Sequence, residues 1–252
     1  MVAQVIPGAE AWSHVGGNAV GALVVHGFTG NPSSMREIAH LLADAGFDVE
    51  LPRLAGHGTS VEEMMTTRWA DWSGDADAAY KALSARCKKV VVVGLSMGGA
   101  LTLWLAAQHP EIAGIVCINP ATQPQPQEVI DMLQGMIDGG MVTTDGIGSD
   151  IADPSAHETA YSGTPLGAMK SFLSDGLAPL ALRYPSIKMP MLLYTSVQDH
   201  VVQPGDSDAV AATYGGPVER VMLERSYHVA TQDYDKDIIF AGAVAFVHRV
   251  TA

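Results

Sequence analysis

Val90-Val91-Val92-Val93-Gly94-Leu95-Ser96-Met97-Gly98-Gly99-Ala100 is the stretch that decides how this chain folds. Four successive valines leave no polar face, so the strand they form is buried on both sides, as strands of parallel sheets are. Ala100–Gln108 then reads as a helix that stops before Pro110. Between strand and helix lies Gly94-Leu95-Ser96-Met97-Gly98, a G-x-S-x-G turn. A serine nucleophile there stands on a tight turn at the carboxyl edge of the sheet, with glycines two residues either side removing side chains that would clash. The helix behind it points N–H groups and a positive dipole end at developing negative charge. G-x-S-x-G alone is a weak motif, and a plain glycine turn is its bland reading. The strand–turn–helix context favours the nucleophile.

Outward from this turn the same rhythm recurs. Ala22–Val25 runs into His26-Gly27-Phe28-Thr29-Gly30 and a helical segment, roughly Ser33 to Ala45. Ile112–Ile118, Met191–Ser196 and Val218–Leu223 are three further buried runs. Short apolar runs alternating with helices predict an α/β protein with a mostly parallel central sheet covered by helices on both faces. One interval breaks the rhythm. After Pro120 come the proline-rich Pro124–Pro126, an amphipathic helix over Glu128–Ile137, a Gly/Asp-rich loop over Gly139–Asp153 and a helical stretch over Pro165–Leu173. An excursion of this length reads as a lid. The expectation is a single domain, 1–252, with residues 121–189 inserted as a cap.

Composition narrows the function. The 252 residues are 48% hydrophobic and 16% charged, which supports a sizeable core and excludes wholesale disorder. A net charge of −13 repels phosphate backbones and anionic headgroups, so no nucleic-acid partner is expected, whereas a neutral substrate meets no such barrier. Cys87 and Cys117 show no metal-type spacing, and Cys117 sits in an apolar run. Residues Met1 to His14 lack a basic cluster and an apolar stretch, and no segment reaches the ~20 apolar residues of a membrane span. A cytoplasmic protein is expected.

A serine hydroxyl needs a base, and the base needs an orienting carboxylate. Asp199 follows the run Met191–Ser196, and His228 follows Val218–Leu223. The chain order Ser96, Asp199, His228 is that of α/β-hydrolases and differs from the chymotrypsin and subtilisin orders. His200 adjoins Asp199, but neighbours at a strand end point apart. His57, in Gly56-His57-Gly58, reads as structural, and His14, His40, His109 and His248 as surface or core residues. Asp206 and Asp208 remain alternatives to Asp199, although both fall at the start of a helix, where Asp is favoured anyway. Two backbone donors complete such a site: the N–H of Met97, and one from the His26–Gly30 loop, for which Phe28 is the candidate.

HGFTGNPSSM, PRLAGHGT, GLSMGGALT, GIGSDI, QDHVV and SYHVAT together resemble the bacterial monoacylglycerol lipases of the α/β-hydrolase superfamily, and more distantly the small bacterial carboxylesterases. The resemblance spans about Leu23 to Phe246. It implies the α/β-hydrolase fold, a triad of Ser96, Asp199 and His228, and Phe28 and Met97 as oxyanion donors. It further implies a small mobile cap over an acyl tunnel, with Glu158 and Ile147 bounding a narrow pocket for one glycerol headgroup, and no metal or organic cofactor. The partner expected is a small lipid ester, met in transient contact with a membrane through the cap. By its residue type alone Glu158 would be an ordinary solvated charge. Met132, Leu133, Met136, Ile137, Met141 and Met169 suit an adaptable acyl surface, or else seat the cap on the core.

Overall fold

The computed structural model describes residues 3–252. Along the chain, β1 (Trp12–His14) and β2 (Val20–Val25) precede α1 (Arg36–Asp44) and β3 (Asp48–Leu51). Then come α2 (Val61–Met65), α3 (Trp69–Ser84), β4 (Lys89–Leu95), α4 (Met97–Gln108) and β5 (Gly114–Ile118). The excursion holds α5 (Gln127–Asp138), β6 (Thr143–Asp145), β7 (Gly163–Pro165) and α6 (Leu166–Ser171). A π-helical stretch, Phe172–Leu177, carries α6 into α7 (Ala178–Ala181). β8 (Met191–Ser196), α8 (Pro204–Thr213), β9 (Val218–Leu223) and α9 (Lys236–Thr251) finish the chain.

The main sheet has seven strands in the order β1-β3-β2-β4-β5-β8-β9. All neighbours are parallel except β1, which pairs antiparallel with β3 at one edge. Alternation along the strands divides the core in two. Leu23, Val92, Ile115 and Leu193 pack with Trp72, Tyr80, Leu101 and Leu105 of α3 and α4 on one face. Val24, Val91, Val116 and Tyr194 pack with Ile38 and Leu42 of α1 and Ile239, Phe240 and Phe246 of α9 on the other. Each fully buried Leu, Val or Ile of this kind contributes roughly 1.5–3 kcal/mol through removal from water. A sheet clad on both faces leaves its carboxyl edge as the place where loops meet, and the Ser96 turn, the Asp199 loop and the His228 loop all leave that edge.

The structure departs from the sequence reading in several details. The segment before α1 is a 3-10 turn, Pro32–Met35, capped by Asn31, whose Oδ1 accepts the Ser33 N–H. The Gly/Asp-rich loop Gly139–Asp153 contains β6, which pairs antiparallel with β7 in a small ribbon outside the main sheet. β1, β3, α2, α3 and α9 complete what the apolar runs alone did not reveal. Cys87 and Cys117 are both free, and burial pushes both thiols up, Cys87 to about 11. Among the described residues no helix is long and apolar enough to cross a membrane.

Candidate active site

Ser96 sits between β4 and α4 with φ 57° and ψ −119°, a left-handed backbone that side-chain-bearing residues rarely adopt. The flanking glycines permit this turn. A Cβ on Gly94 would lie 2.1 Å from the Gly98 carbonyl oxygen, and a Cβ on Gly98 would lie 2.2 Å from that of Val25. The elbow is therefore wedged against the end of β2. Gly27 sits beside it, with room for a Cβ only 3.3 Å from that of Ser96.

His228 and Asp199 meet across the ends of β9 and β8. His228 Nδ1 lies 2.8 Å from Asp199 Oδ2, and both side chains are almost wholly buried. The carboxylate is an acceptor, so Nδ1 carries the proton and Nε2 is left as the basic nitrogen. Asp199 Oδ1 accepts the N–H groups of Val201 and Val202 at 2.9 and 2.8 Å, which fixes the carboxylate on its own turn. Ser96 and His228 line one narrow recess together with Gly27, Phe28, Thr29, Ile147 and Glu158. No Ser96–His228 hydrogen bond closes among the described residues; contacts of this kind tighten when substrate fills the site.

The N–H groups of Phe28 and Met97 have no acceptor among the described residues. His26 explains how the first is aimed. Its Nδ1 donates to the Gly27 carbonyl at 2.9 Å while its Nε2 accepts the Leu54 N–H at 3.2 Å. Gly27 C=O and Phe28 N–H belong to one peptide plane and point opposite ways, so anchoring the carbonyl turns the N–H outward. Burial, and less strongly the nearby Arg53 charge, hold His26 neutral, with its pKa lowered to about 4. His57 packs 5.1 Å from His26, ring centre to ring centre, and its Nδ1 donates to Ala55 O. Burial holds the His57 pKa well below the ordinary histidine value and keeps it neutral also.

A second, apolar cavity of about 350 Å3 opens beside the recess. It shares Ser96, Phe28, Ile147 and Val201 with the recess; its other walls are the apolar Ala121, Met169, Phe172, Leu173, Leu177 and Val202, with Gln125, Gln203 and Asp206 as a polar border. That volume lies in the range of small-molecule sites. Phe172 and Leu177 come from the π-helical stretch, a distortion often found at functional sites. Of the methionines noted in the sequence, only Met169 lines this cavity; Met132 and Met141 are exposed on the outside of the excursion. Helical periodicity marked their common apolar character but not which surface they meet.

Glu158 is buried, 8% exposed, and overturns the expectation of a solvated charge from its residue type. Its carboxyl has no hydrogen-bond partner among the described residues, and burial raises its pKa to about 7 against the pull of the His228 charge. Its Oε1 would stand 2.8 Å from a Cβ on Gly30, so the small residue of the HGFTG loop makes room for it. The sequence alternatives are occupied elsewhere. Asp206 accepts the Thr122 and Gln123 N–H groups, Asp208 pairs with Arg220, and His200 pairs with Asp150. Among the described residues no cluster of three or more His, Cys, Asp or Glu is placed to hold a metal ion.

One residue absent from the sequence reading is Asn119, at the end of β5 with φ 43°. Its Nδ2 donates to the His228 carbonyl at 2.8 Å and to Ser196 Oγ at 2.9 Å, while its Oδ1 accepts the Ser196 N–H. An Asn-Pro pair directly after a buried strand was the available cue.

The serine aminopeptidase S33 family model matches residues 20–142. A thermostable monoacylglycerol lipase from Bacillus sp. (strain H-257) is 41% identical over 245 residues, 96% of this chain and 95% of that protein. One of two metagenome-derived lipolytic enzymes superposes with a TM-score of 0.92 at 42% identity, covering 98% of this chain and 100% of that one. A carboxylesterase from Bacillus subtilis (strain 168) is 25% identical over 230 residues, 90% of this chain and 92% of that protein.

Proposed function

The chain belongs to the family of bacterial monoacylglycerol lipases within the α/β-hydrolase superfamily, and we propose that it hydrolyses monoacylglycerols to a fatty acid and glycerol. The observation that carries this reading is the 2.8 Å His228–Asp199 pair facing, across one recess, a serine on a strained turn beside an apolar cavity.

In the proposed reaction Ser96 Oγ attacks the acyl carbonyl while His228 Nε2 takes its proton. The carbonyl oxygen becomes an oxyanion held by the Phe28 and Met97 N–H groups. The C–O bond to glycerol then breaks as His228 returns the proton to the leaving oxygen. Water, deprotonated by the same nitrogen, attacks the acyl-serine; the Oγ–acyl bond breaks, Ser96 regains its proton and the fatty acid leaves. Asp199 holds the tautomer and stabilises the imidazolium.

The acyl chain is assigned to the apolar cavity and the glycerol to the recess. Residues 121–189 act as the cap: they supply Ile147 and Glu158 to the recess and Met169, Phe172, Leu173 and Leu177 to the cavity. The recess, about 20 Å3, holds little more than one water, so a glycerol enters as the part-exposed Ile147 side chain turns aside. A second acyl chain has no space there. Exposed Met132, Met141 and Val142 give the cap apolar side chains to lay against a lipid surface.

The test is a hydrolysis panel of mono-, di- and triacylglycerols beside aryl esters. Preference for the monoacylglycerol supports the reading. Equal cleavage of triacylglycerols replaces it with a general carboxylesterase, and preference for thioesters with a thioesterase.

A further inference from the structure

The Gly146–Ile151 segment does more than present Ile147. Asp150 turns its carboxylate, 15% exposed, away from the recess and toward the loops that carry His228 and Asp199. Its Oδ2 accepts the main-chain N–H groups of both His228 and His200, each at 3.1 Å. Its Oδ1 lies 2.8 Å from His200 Nδ1, and its own carbonyl accepts the Val229 N–H at 3.0 Å. One residue thus bonds the main chain on both sides of the His228 Cα and the residue after Asp199. Asp233 reinforces the joint, taking the Ala152, Asp153 and Tyr227 N–H groups.

We infer that Asp150 is a positioning residue of the reaction. It locks the main chain of His228 to the loop that bears Ile147, so that the base and the wall of the recess form one unit. The inference rests on the reading of His228 as the base. Asp150 touches neither substrate nor the imidazole of His228; it acts by fixing the peptides on which that ring stands. Misplacement of a catalytic group by about 1 Å costs on the order of a hundredfold in rate, which sets the scale on which such a tether matters.

The experiment compares Asp150→Ala, Asp150→Asn and His200→Ala with the wild type, using a short aryl ester and reading kcat, KM and Tm separately. Asparagine is nearly isosteric: its Oδ1 can accept both main-chain N–H groups, and its amide can donate to the unprotonated Nδ1 of a neutral His200. Asp150→Ala is expected to lower kcat by about tenfold or more with KM changed less than about threefold, and Asp150→Asn to restore most of the loss. His200→Ala removes one exposed contact and should stay within about threefold of wild type. If Asp150→Ala does not fold, Asp150→Glu, which keeps the charge but displaces its oxygens by a methylene, must show the same fall in kcat. An unchanged kcat, a loss confined to KM, or an equal loss in the Asn and Ala variants overturns the inference. His228→Ala separates the two failures: turnover retained there means that the base was misassigned, whereas a dead His228→Ala beside an active Asp150→Ala removes only the tether.

Discussion

Asp199 Oδ2 lies 2.8 Å from His228 Nδ1 across 29 positions of sequence, and each partner is also pinned by main-chain bonds of its own. That arrangement separates orientation from charge. In Asp199→Asn the amide oxygen can still accept the Val201 and Val202 N–H groups, so the turn survives. The amide NH2 then faces Nδ1 and forces the proton to Nε2, the wrong nitrogen for a base. We expect kcat to fall by about 10³–10⁴ with little change in Tm. Activity near wild type would move the orienting role elsewhere. Asp206, the first alternative, already holds the Thr122 and Gln123 N–H groups.

Ser96 combines a chemical and a conformational role, and two substitutions separate them. Ser96→Ala and Ser96→Gly should both abolish turnover, since neither offers an oxygen; more than a few per cent of activity in contaminant-free protein would exclude Ser96 as nucleophile. Their stabilities should differ. At φ 57° and ψ −119° alanine retains the strain of a Cβ, whereas glycine does not. Ser96→Gly is therefore expected to unfold at a higher denaturant concentration than Ser96→Ala, by about 1 kcal/mol. The reverse order would mean that the turn is not strained.

What the sequence disclosed depended on how each feature is encoded. The valines before Ser96 leave only one environment open to them, and the order of strand ends follows from the parallel rhythm, so the sheet and the Ser96, Asp199 and His228 loops were legible together. β3 was hidden because Asp48 and Glu50 interrupt its apolar residues. The fold uses both charges, Asp48 on the Gly16 and Gly17 N–H groups and on Arg86, Glu50 on Arg86 alone. Asp150 was illegible, and Asn119 offered only the Asn-Pro pair after a buried strand as a cue. They bind main-chain groups brought near only by folding, and a peptide N–H has no residue type to recognise. The excursion between β5 and β8 was hardest, since its helices turn their apolar sides toward surfaces contributed by other segments.

The cavity gives a test in chain length. Met169 lines it from α6, together with Val201 and Val202. Met169→Trp should fill part of that space while remaining apolar. A short acyl aryl ester should be cleaved within about twofold of the wild-type kcat/KM. Longer chains lose buried contact at ~0.8 kcal/mol per methylene, so displacement of two methylenes costs about tenfold. A series of p-nitrophenyl esters of increasing length reads the break. A uniform fall across the series would place the acyl chain elsewhere.

Glu158 gives a test in pH and in substrate together. Its folded pKa is raised to about 7 by burial, from an ordinary value of 4.5. Below pH 4.5 the group is protonated in both folded and unfolded chains and has no effect on their balance. As pH rises from 4.5 to about 7, the unfolded chain releases a proton that the folded chain retains, so stability falls across that window and stays lowered above it. Glutamine does not titrate. Glu158→Gln should therefore gain stability relative to wild type between pH 4.5 and pH 8, by up to about 3 kcal/mol. Denaturant melts at the two pH values measure this, and an unchanged difference would mean that the carboxyl is hydrated in solution. The catalytic consequence follows from the same isolation. An alcohol hydroxyl both donates and accepts, so it can bond a carboxylate, a carboxylic acid or an amide at this position. Glu158→Ala should then lower kcat/KM for a monoacylglycerol about tenfold or more, since a hydrogen bond to a charged group contributes roughly 1.5–3 kcal/mol. Glu158→Gln should lose less, and an aryl ester lacking glycerol should respond little to either. Equal losses on both substrates would mean that the substitution damaged the cap, and no loss on either would remove Glu158 from the headgroup site.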